Sequence, residues 1–365
     1  MKKTASWIQI LVFLAFIGAL LVLHLALPDR SLSGRESLQT APSFSFSALF
    51  SGKFTSQAES YVNDQFPFRD GWVSLKARSE LVSGKAENNG VYLCEDETLI
   101  EPFEATRSIT TDPINALAEY IDAPVCFALI PTASEIWRDK LPEGTPNDSQ
   151  KEVIERAYDA VSVETADVYS VLYAHRDEPI FYRTDHHWTT LGAYYGYAAL
   201  AEALGYDPLP ISAYSPAIVT EEFYGTAWSN SGFSWVRPDT ITTYVSEGDA
   251  VVESWNGAQA SPASMYVPQK LDGIDKYAYF FGGNTPLLTV RTGNEGPKLL
   301  ILRDSFMDSL SPFLLPHFSE IHIMDLRYYK YSLQNYITEH EIDQVLVCYS
   351  VTNYVSDSNL FLMER

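Results

Sequence analysis

The apolar positions of this chain change character three times. The first regime is a predominantly apolar stretch of 21 residues, Trp7 to Leu27, inside a run without Asp, Glu, Lys or Arg from Thr4 to Leu27. That length meets the ~20 residues a helix needs to cross a bilayer. It exceeds the apolar core of about 7–15 residues found in cleaved signal peptides, and no clear Ala-x-Ala site follows it. Lys2 and Lys3 favour a cytoplasmic N-terminus. The expectation is an uncleaved transmembrane anchor in residues 1–30 with the rest of the chain outside the cytoplasm; a cleaved signal is the alternative.

Residues 31–52 are rich in Ser, Gly and Pro without periodicity and read as a linker off the membrane. From residue 53 to 365 the pattern is that of an extracytoplasmic domain. Phe54, Ala58, Tyr61 and Val62 recur at helical spacing. Asp64 to Asp70 interrupts that run, and a second helix follows to Val82. Val91–Cys94 and Thr98–Ile100 form a hairpin pattern around Glu95-Asp96-Glu97.

An α/β rhythm comes next. Residues 112–122 and 149–160 read as helices. Pro124 to Ile130 is a continuous apolar run, as expected of a parallel strand covered on both faces. Asp167 to Tyr173 reads as a short strand or a strand and turn. A helix is expected over Leu191 to Leu204. Between about 205 and 292 short β-prone runs alternate with Gly, Asn and Pro: Ile241–Val245, Ala250–Trp255, Ser264–Val267, Tyr277–Phe281 and Leu287–Val290. These predict a β-rich insertion. The rhythm then resumes with strands at Lys298–Leu302, Glu320–Met324 and Gln344–Tyr349, and helices at Ser309–Leu315 and Tyr331–Glu339. The fold class is α/β, a parallel sheet flanked by helices.

Charge narrows the partners. The whole chain carries −22. Three of its 25 basic and one of its 47 acidic residues lie in residues 1–30, so the remainder carries −24. Such a surface repels nucleic acid and anionic lipid headgroups. The three cysteines, Cys94, Cys126 and Cys348, make no complete disulfide framework and no zinc-type spacing. Cys126 and Cys348 read as small buried residues; a bridge between them requires their strands to be neighbours.

The candidate chemistry sits in Arg183-Thr184-Asp185-His186-His187-Trp188-Thr189-Thr190. In an extended segment, residues i and i+2 face the same side, so Asp185 can hold the His187 imidazole. That is two thirds of a Ser-His-Asp triad. Catalytic groups in open parallel sheets sit at the C-terminal ends of strands. Directly after Lys298–Leu302 stands Arg303-Asp304-Ser305-Phe306, which leads into a helix. Ser305 is the candidate nucleophile there, with a helix N-cap as the ordinary use of such residues.

Lys298–Phe306 resembles the nucleophile block of SGNH (GDSL-type) hydrolases, with Arg303 in place of the usual Gly. Thr184–Trp188 resembles the signature of the bacterial DHHW family, which is similar to the SGNH-like domain of alginate O-acetyltransferases. Phe54–Gly71, Asn89–Glu101, Phe280–Asn284 and Asp304–Tyr329 also look like DHHW-family blocks. The resemblance implies an SGNH-hydrolase-like fold with Ser305 as nucleophile, His187 as general base and Asp185 as its orienter. The backbone N–H of Ser305 would be one oxyanion donor, with Asn284 or Asn353 as the second. His186 would be structural or substrate-facing. Trp188 would pack under the loop rather than stack on sugar, and Tyr329 and Arg327 would either line the cleft or be solvated loop residues.

The resemblance further implies an anchored O-acetyltransferase or acetylesterase acting on a cell-surface polysaccharide, without a cofactor. If the reaction is transfer, a membrane-bound O-acyltransferase partner would supply the acetyl group, because one span cannot carry it across. Two other readings stand beside this. One is a non-catalytic surface-polysaccharide-binding or assembly protein on the same fold, which the departure at Arg303 favours. The other is a metal site at Asp185, His186 and His187. Adjacent histidines rarely share an ion and no distant partner motif appears, so no metal is assigned.

Overall fold

The computed structural model describes residues 2–33, 36–105, 109–245 and 250–364. The chain divides into two compact units, residues 1–88 with 232–234, and residues 89–231 with 235–365.

In the first unit, α1 (Lys2–Ala26) contains a stretch, Ser6–Ala26, long and apolar enough to cross a membrane, with mean hydropathy 2.6. The expected linker is not wholly irregular. It carries a short helix, Phe46–Phe50, whose first turn is capped by the Ser45 hydroxyl accepting from the Ala48 N–H. Two helices follow at the predicted place, α2 (Lys53–Asp64) and α3 (Arg69–Val82). Phe68, at φ 60°, adopts the left-handed conformation that separates them. The segment after α1 is tied to this pair: the Tyr61 hydroxyl donates to Asp29 at 2.9 Å, and Arg30 donates to Asp70 at 2.6 Å.

The second unit is built on an eight-stranded sheet. Its strands in chain order are β1 (Val125–Ile130), β2 (Glu164–Thr165), β3 (Val251–Trp255), β4 (Ala260–Ala263), β5 (Leu287–Arg291), β6 (Lys298–Arg303), β7 (Glu320–Met324) and β8 (Gln344–Ser350). Their order across the sheet is β4-β3-β5-β7-β6-β8-β1-β2. The five strands from β7 to β2 run parallel; β5, β3 and β4 extend the sheet antiparallel. The central strands are mostly apolar because both faces are covered, with Arg303 in β6 and His322 in β7 as buried exceptions. Ile301 and Leu346 face one core with Trp188, while Leu300, Leu302 and Val345 face the other with Tyr336.

Three sequence expectations change here. Residues 168–174 form a helix, not a strand: Val168 and Leu172 are the buried positions, four apart, and the Asp167 carboxylate caps the turn by accepting from the Ser170 N–H. Only the two-residue β2 precedes it. The region 205–292 is not simply an insertion beside the sheet, because β3, β4 and β5 are part of it. Only Ser215–Phe223 and Asp239–Val245 form a separate antiparallel pair. Finally, Ser264–Val267 and Tyr277–Phe281 form no strands; they meet in a single bridge, Tyr266 to Phe280, and their aromatic rings serve as core. Cys126 and Cys348 lie on neighbouring strands, but in register Cys126 faces Leu346 and Cys348 faces Ala128. All three cysteines are free thiols.

Candidate active site

The site forms where β6, β8 and β1 end together. Ser305 follows β6, Thr352 and Asn353 follow β8, and Thr132 to Ser134 follow β1. These last two groups line a cavity of about 410 Å³ with Glu101, Asp185, His186, Asn230 and Phe306. The floor at β1 is fixed by Gln150, which is fully buried. Its side chain donates to the Thr132 and Ser134 hydroxyls at 2.7 and 3.0 Å.

His187 arrives on a tight hairpin. Phe181 bridges Trp188, and the Tyr182 N–H donates to the His187 carbonyl. The residues between are bends, not the extended segment expected. Asp185 reaches His187 instead by turning back: its Oδ1 accepts the His187 backbone N–H at 3.0 Å and Nδ1 at 2.5 Å. A carboxylate only accepts, so Nδ1 carries the hydrogen and Nε2 is left as acceptor. Ser305 Oγ lies 2.8 Å from Nε2. The structure thus brings Asp185, His187 and Ser305 into one hydrogen-bonded line. Asp185 and His187 are buried and Ser305 is partly exposed.

The line is held from several sides. The other oxygen of Asp185 accepts from the Thr226 N–H at 2.8 Å and from its hydroxyl at 3.2 Å. Since that hydroxyl donates to Asp185, the His186 Nδ1–H donates to Thr226, at 2.5 Å. Burial opposes the Asp185 charge, but the His186 and His187 imidazoles and the hydrogen bonds from His187 and the Thr226 amide outweigh it. They hold the carboxyl well below its ordinary range. The His187 ring lies between His186 and Tyr277, each with its centroid 3.9 Å away. Gly225 sits so close that a Cβ there would lie 2.2 Å from the Asp185 Cβ.

Trp188 joins the hairpin to the turn that carries Ser305. It is fully buried, and its indole N–H donates to the Phe306 carbonyl at 3.0 Å. The side chain fits because helix α4 (Thr190–Leu204) presents glycines one turn apart. A Cβ at Gly192 would lie 3.0 Å from the Trp188 Cβ, and one at Gly196 would lie 2.6 Å from its ring. Here the sequence expectation of packing, not ligand contact, holds.

Asp304 points away from the serine. Oδ1 accepts the Phe306 N–H at 3.0 Å, and Oδ2 accepts from Ser350 and from the Asn353 amide. Arg303, which departs from the SGNH-like pattern, is wholly buried and 2.9 Å from Asp308. In register it lies beside Cys348, which lies beside Ala128; these small neighbours leave room for it. Burial raises the Asp308 carboxyl to about 6 against the pull of Arg303 and His187.

Two expected site residues lie elsewhere. Asn284 is exposed and lines no part of this cavity. Phe281, Gly282 and Gly283 all have positive φ and turn the chain outward before it. Tyr329 lines a different cavity, its ring packed near Trp255, Tyr331 and Tyr336. Arg327 makes a bidentate pair with Asp325. Asn353 and His186 do line the cavity beside Ser305. Thr226 and Tyr277 were not singled out from sequence, since neither stands near a motif.

Residues 108–324 match the DHHW protein family. The chain belongs to the DHHW family. This DHHW protein is 25% identical over 240 residues to the probable alginate O-acetylase AlgJ of Pseudomonas syringae pv. tomato (strain ATCC BAA-871 / DC3000). The match covers 60% of this chain and 59% of that protein, less than two thirds of the relative's length. A DHHW family protein from Eubacterium siraeum DSM 15702 has a similar structure, with TM-score 0.67 and 26% identity over 76% of this chain and 95% of that one. Bacillus cereus PatB1, solved with a sulfonyl adduct, shares the fold at TM-score 0.61 and 18% identity, over 75% of this chain and all of that one.

Proposed function

We propose that this DHHW protein is a membrane-anchored, extracytoplasmic SGNH-like enzyme that moves acetyl groups on or off a cell-surface polysaccharide. The observation that carries the reading is the position of His187, 2.5 Å from Asp185 and 2.8 Å from Ser305. In the reaction, Ser305 Oγ attacks the ester carbonyl as its proton passes to His187 Nε2. The leaving alcohol takes that proton, and an acyl-enzyme remains. A sugar hydroxyl or water then gives its proton to His187 and attacks the acyl carbonyl, and His187 returns that proton to Ser305 Oγ as the acyl–serine bond breaks. Asp185 steadies the imidazolium throughout.

The Ser305 N–H makes no hydrogen bond to the described residues and supplies the first oxyanion donor. Asn353 is the better second donor. Asp304 holds one of its amide hydrogens at 2.7 Å, and the other stays available at the cavity wall. Asn284 is not retained in that role.

Similarity to an alginate O-acetylase supports polysaccharide as the substrate class; if the reaction is transfer, an O-acyltransferase in the membrane is the acetyl source in this reading. Helix α1 supports the anchor, with Lys2 and Lys3 keeping the N-terminus cytoplasmic. The non-catalytic alternative rested on Arg303, and that side chain is in the core, away from the cavity. A metal at Asp185, His186 and His187 would have to displace hydrogen bonds that already occupy their facing atoms. The test is turnover of a chromogenic acetyl ester by the full chain beside Ser305→Ala and His187→Ala. Loss in both variants supports the reading, and equal rates in all three overturn it.

A further inference from the structure

A second cavity, of about 470 Å³, lies in the same unit and contains no member of the Asp185-His187-Ser305 line. It belongs to the opposite core of the sheet, the one that holds Leu287, Tyr329 and Tyr336. Its wall comes from the antiparallel extension: Trp255 faces Leu287 and Glu253 faces Thr289 across β3 and β5. Its other side is the segment after β7 and helix α5 (Leu333–His340).

Three features set this cavity apart from leftover core. First, its rings stand at angles to one another. Trp255 is 5.6 Å from Tyr329 at 52° and 5.3 Å from Tyr331 at 70°. They form a cup with faces left open. Second, Tyr331 is 57% exposed, though a large ring beside a tryptophan gains by burial. Third, several polar tips lack protein partners. The Trp255 indole N–H, the Tyr329 hydroxyl and the Asn335 side-chain amide make no hydrogen bond to the described residues. Open aromatic faces beside uncommitted donors and acceptors match a pyranose, which has apolar C–H faces and a polar hydroxyl rim.

Charge selects among saccharides. Arg291 is the cavity's strong cation, and it is flanked by Glu253 at 2.5 Å and Glu320 at 3.3 Å. Glu339 adds a further acid to the lining. A uronate, sulfate or phosphate would meet repulsion here.

We propose that this cavity is a saccharide-binding subsite for uncharged hexose or N-acetylhexosamine units. Its role as a grip on the polymer rests on the proposed function; its binding chemistry does not. Tyr329 connects the two places. Its N–H donates to the Asp325 carbonyl at 2.8 Å, and Asp325 directly follows β7, the neighbour of the strand that leads to Ser305.

The experiment is isothermal titration of the full chain in detergent with cellohexaose, chitohexaose and an oligomannuronate. Trp255→Phe, Tyr331→Ala and Ser305→Ala are measured beside it. The expected result is binding of at least one neutral oligomer and none of the uronate. Ser305→Ala binds like wild type, and Tyr331→Ala binds about tenfold more weakly or worse. Tyr331 is exposed, so its loss leaves the fold standing, and a melting curve verifies this. The proposal is overturned if no neutral oligomer binds, if the uronate binds best, or if folded Tyr331→Ala and Trp255→Phe both bind like wild type. Neutral-oligomer binding without any esterase activity would retain this subsite while removing the proposed function.

Discussion

Asp304 turns away from Ser305 and closes on Ser350, whose N–H and hydroxyl both donate to Oδ2, at 2.8 and 2.7 Å. The two residues join the ends of β6 and β8, so the serine's turn is fixed by its neighbour's carboxylate. Replacing Asp304 with Ala leaves the buried donors of Phe306 and Ser350 unpaired and frees Asn353. We expect a loss of about 3 kcal/mol or more in stability, read as a lowered melting temperature, together with lost ester turnover.

Removing Ser305 acts on chemistry, not on folding, whereas removing His187 also leaves the buried Asp185 carboxylate without its imidazole. Ser305→Ala should melt near wild type and His187→Ala below it, and both should lose about a thousandfold or more in kcat on a chromogenic acetyl ester. The double variant should be no worse than either single one, because the two groups act as a unit.

The Asp185 carboxyl has a pH signature. Its folded-state pKa is depressed, so it contributes stability that is present above the unfolded value near 3.8 and lost as pH falls below it. Asp185→Asn lacks this contribution. Melting curves of the two proteins should therefore differ most at about pH 6–7, by about 1–3 kcal/mol, and converge only as pH falls below 3.8 through the depressed folded-state value.

Gly225→Ala places a methyl group 2.2 Å from the Asp185 Cβ and 2.3 Å from its Oδ2. The aspartate must move, and His187 with it. A shift of about 1 Å should lower kcat by about a hundredfold while KM stays close to wild type.

Tyr277 separates ring from hydroxyl. Tyr277→Phe keeps the stack under His187 and loses the hydrogen bonds to Ser309 Oγ and the Ser305 carbonyl, at 3.1 and 3.2 Å. It should cost about 1 kcal/mol in a melting experiment and little activity. Tyr277→Ala removes the surface on which the imidazole rests, and should lower kcat at least tenfold more than the phenylalanine variant.

The parallel strands were legible because both their faces are covered: Pro124–Ile130 and Leu299–Leu302 are unbroken apolar runs. The line from Asp185 to Ser305 was legible because a short hairpin and a strand end each put their chemistry beside a recognisable pattern. Elsewhere, tertiary context decided. Val168 and Leu172 fit either a short strand or one helical face, and a cap at Asp167 settled the matter. The insertion strands showed their β-character but not their partners, since pairing of β5 with β7 depends on which edge of the sheet is open. Asn284 looked suitable from its glycines, yet those same glycines turn it outward. Tyr329 lies on the expected edge of the sheet but belongs to the other cavity.

His187 and Ser305 are 118 residues apart, and Trp188 clasps their two segments through the Phe306 carbonyl. Bringing such distant segments together is entropically costly and depends on nearly the whole sheet being in place. Until then, Ser305 has only the weak reactivity of any serine hydroxyl. The emerging chain therefore lacks the Asp185-His187-Ser305 line until the sheet is complete, and closure of the fold is what creates the site.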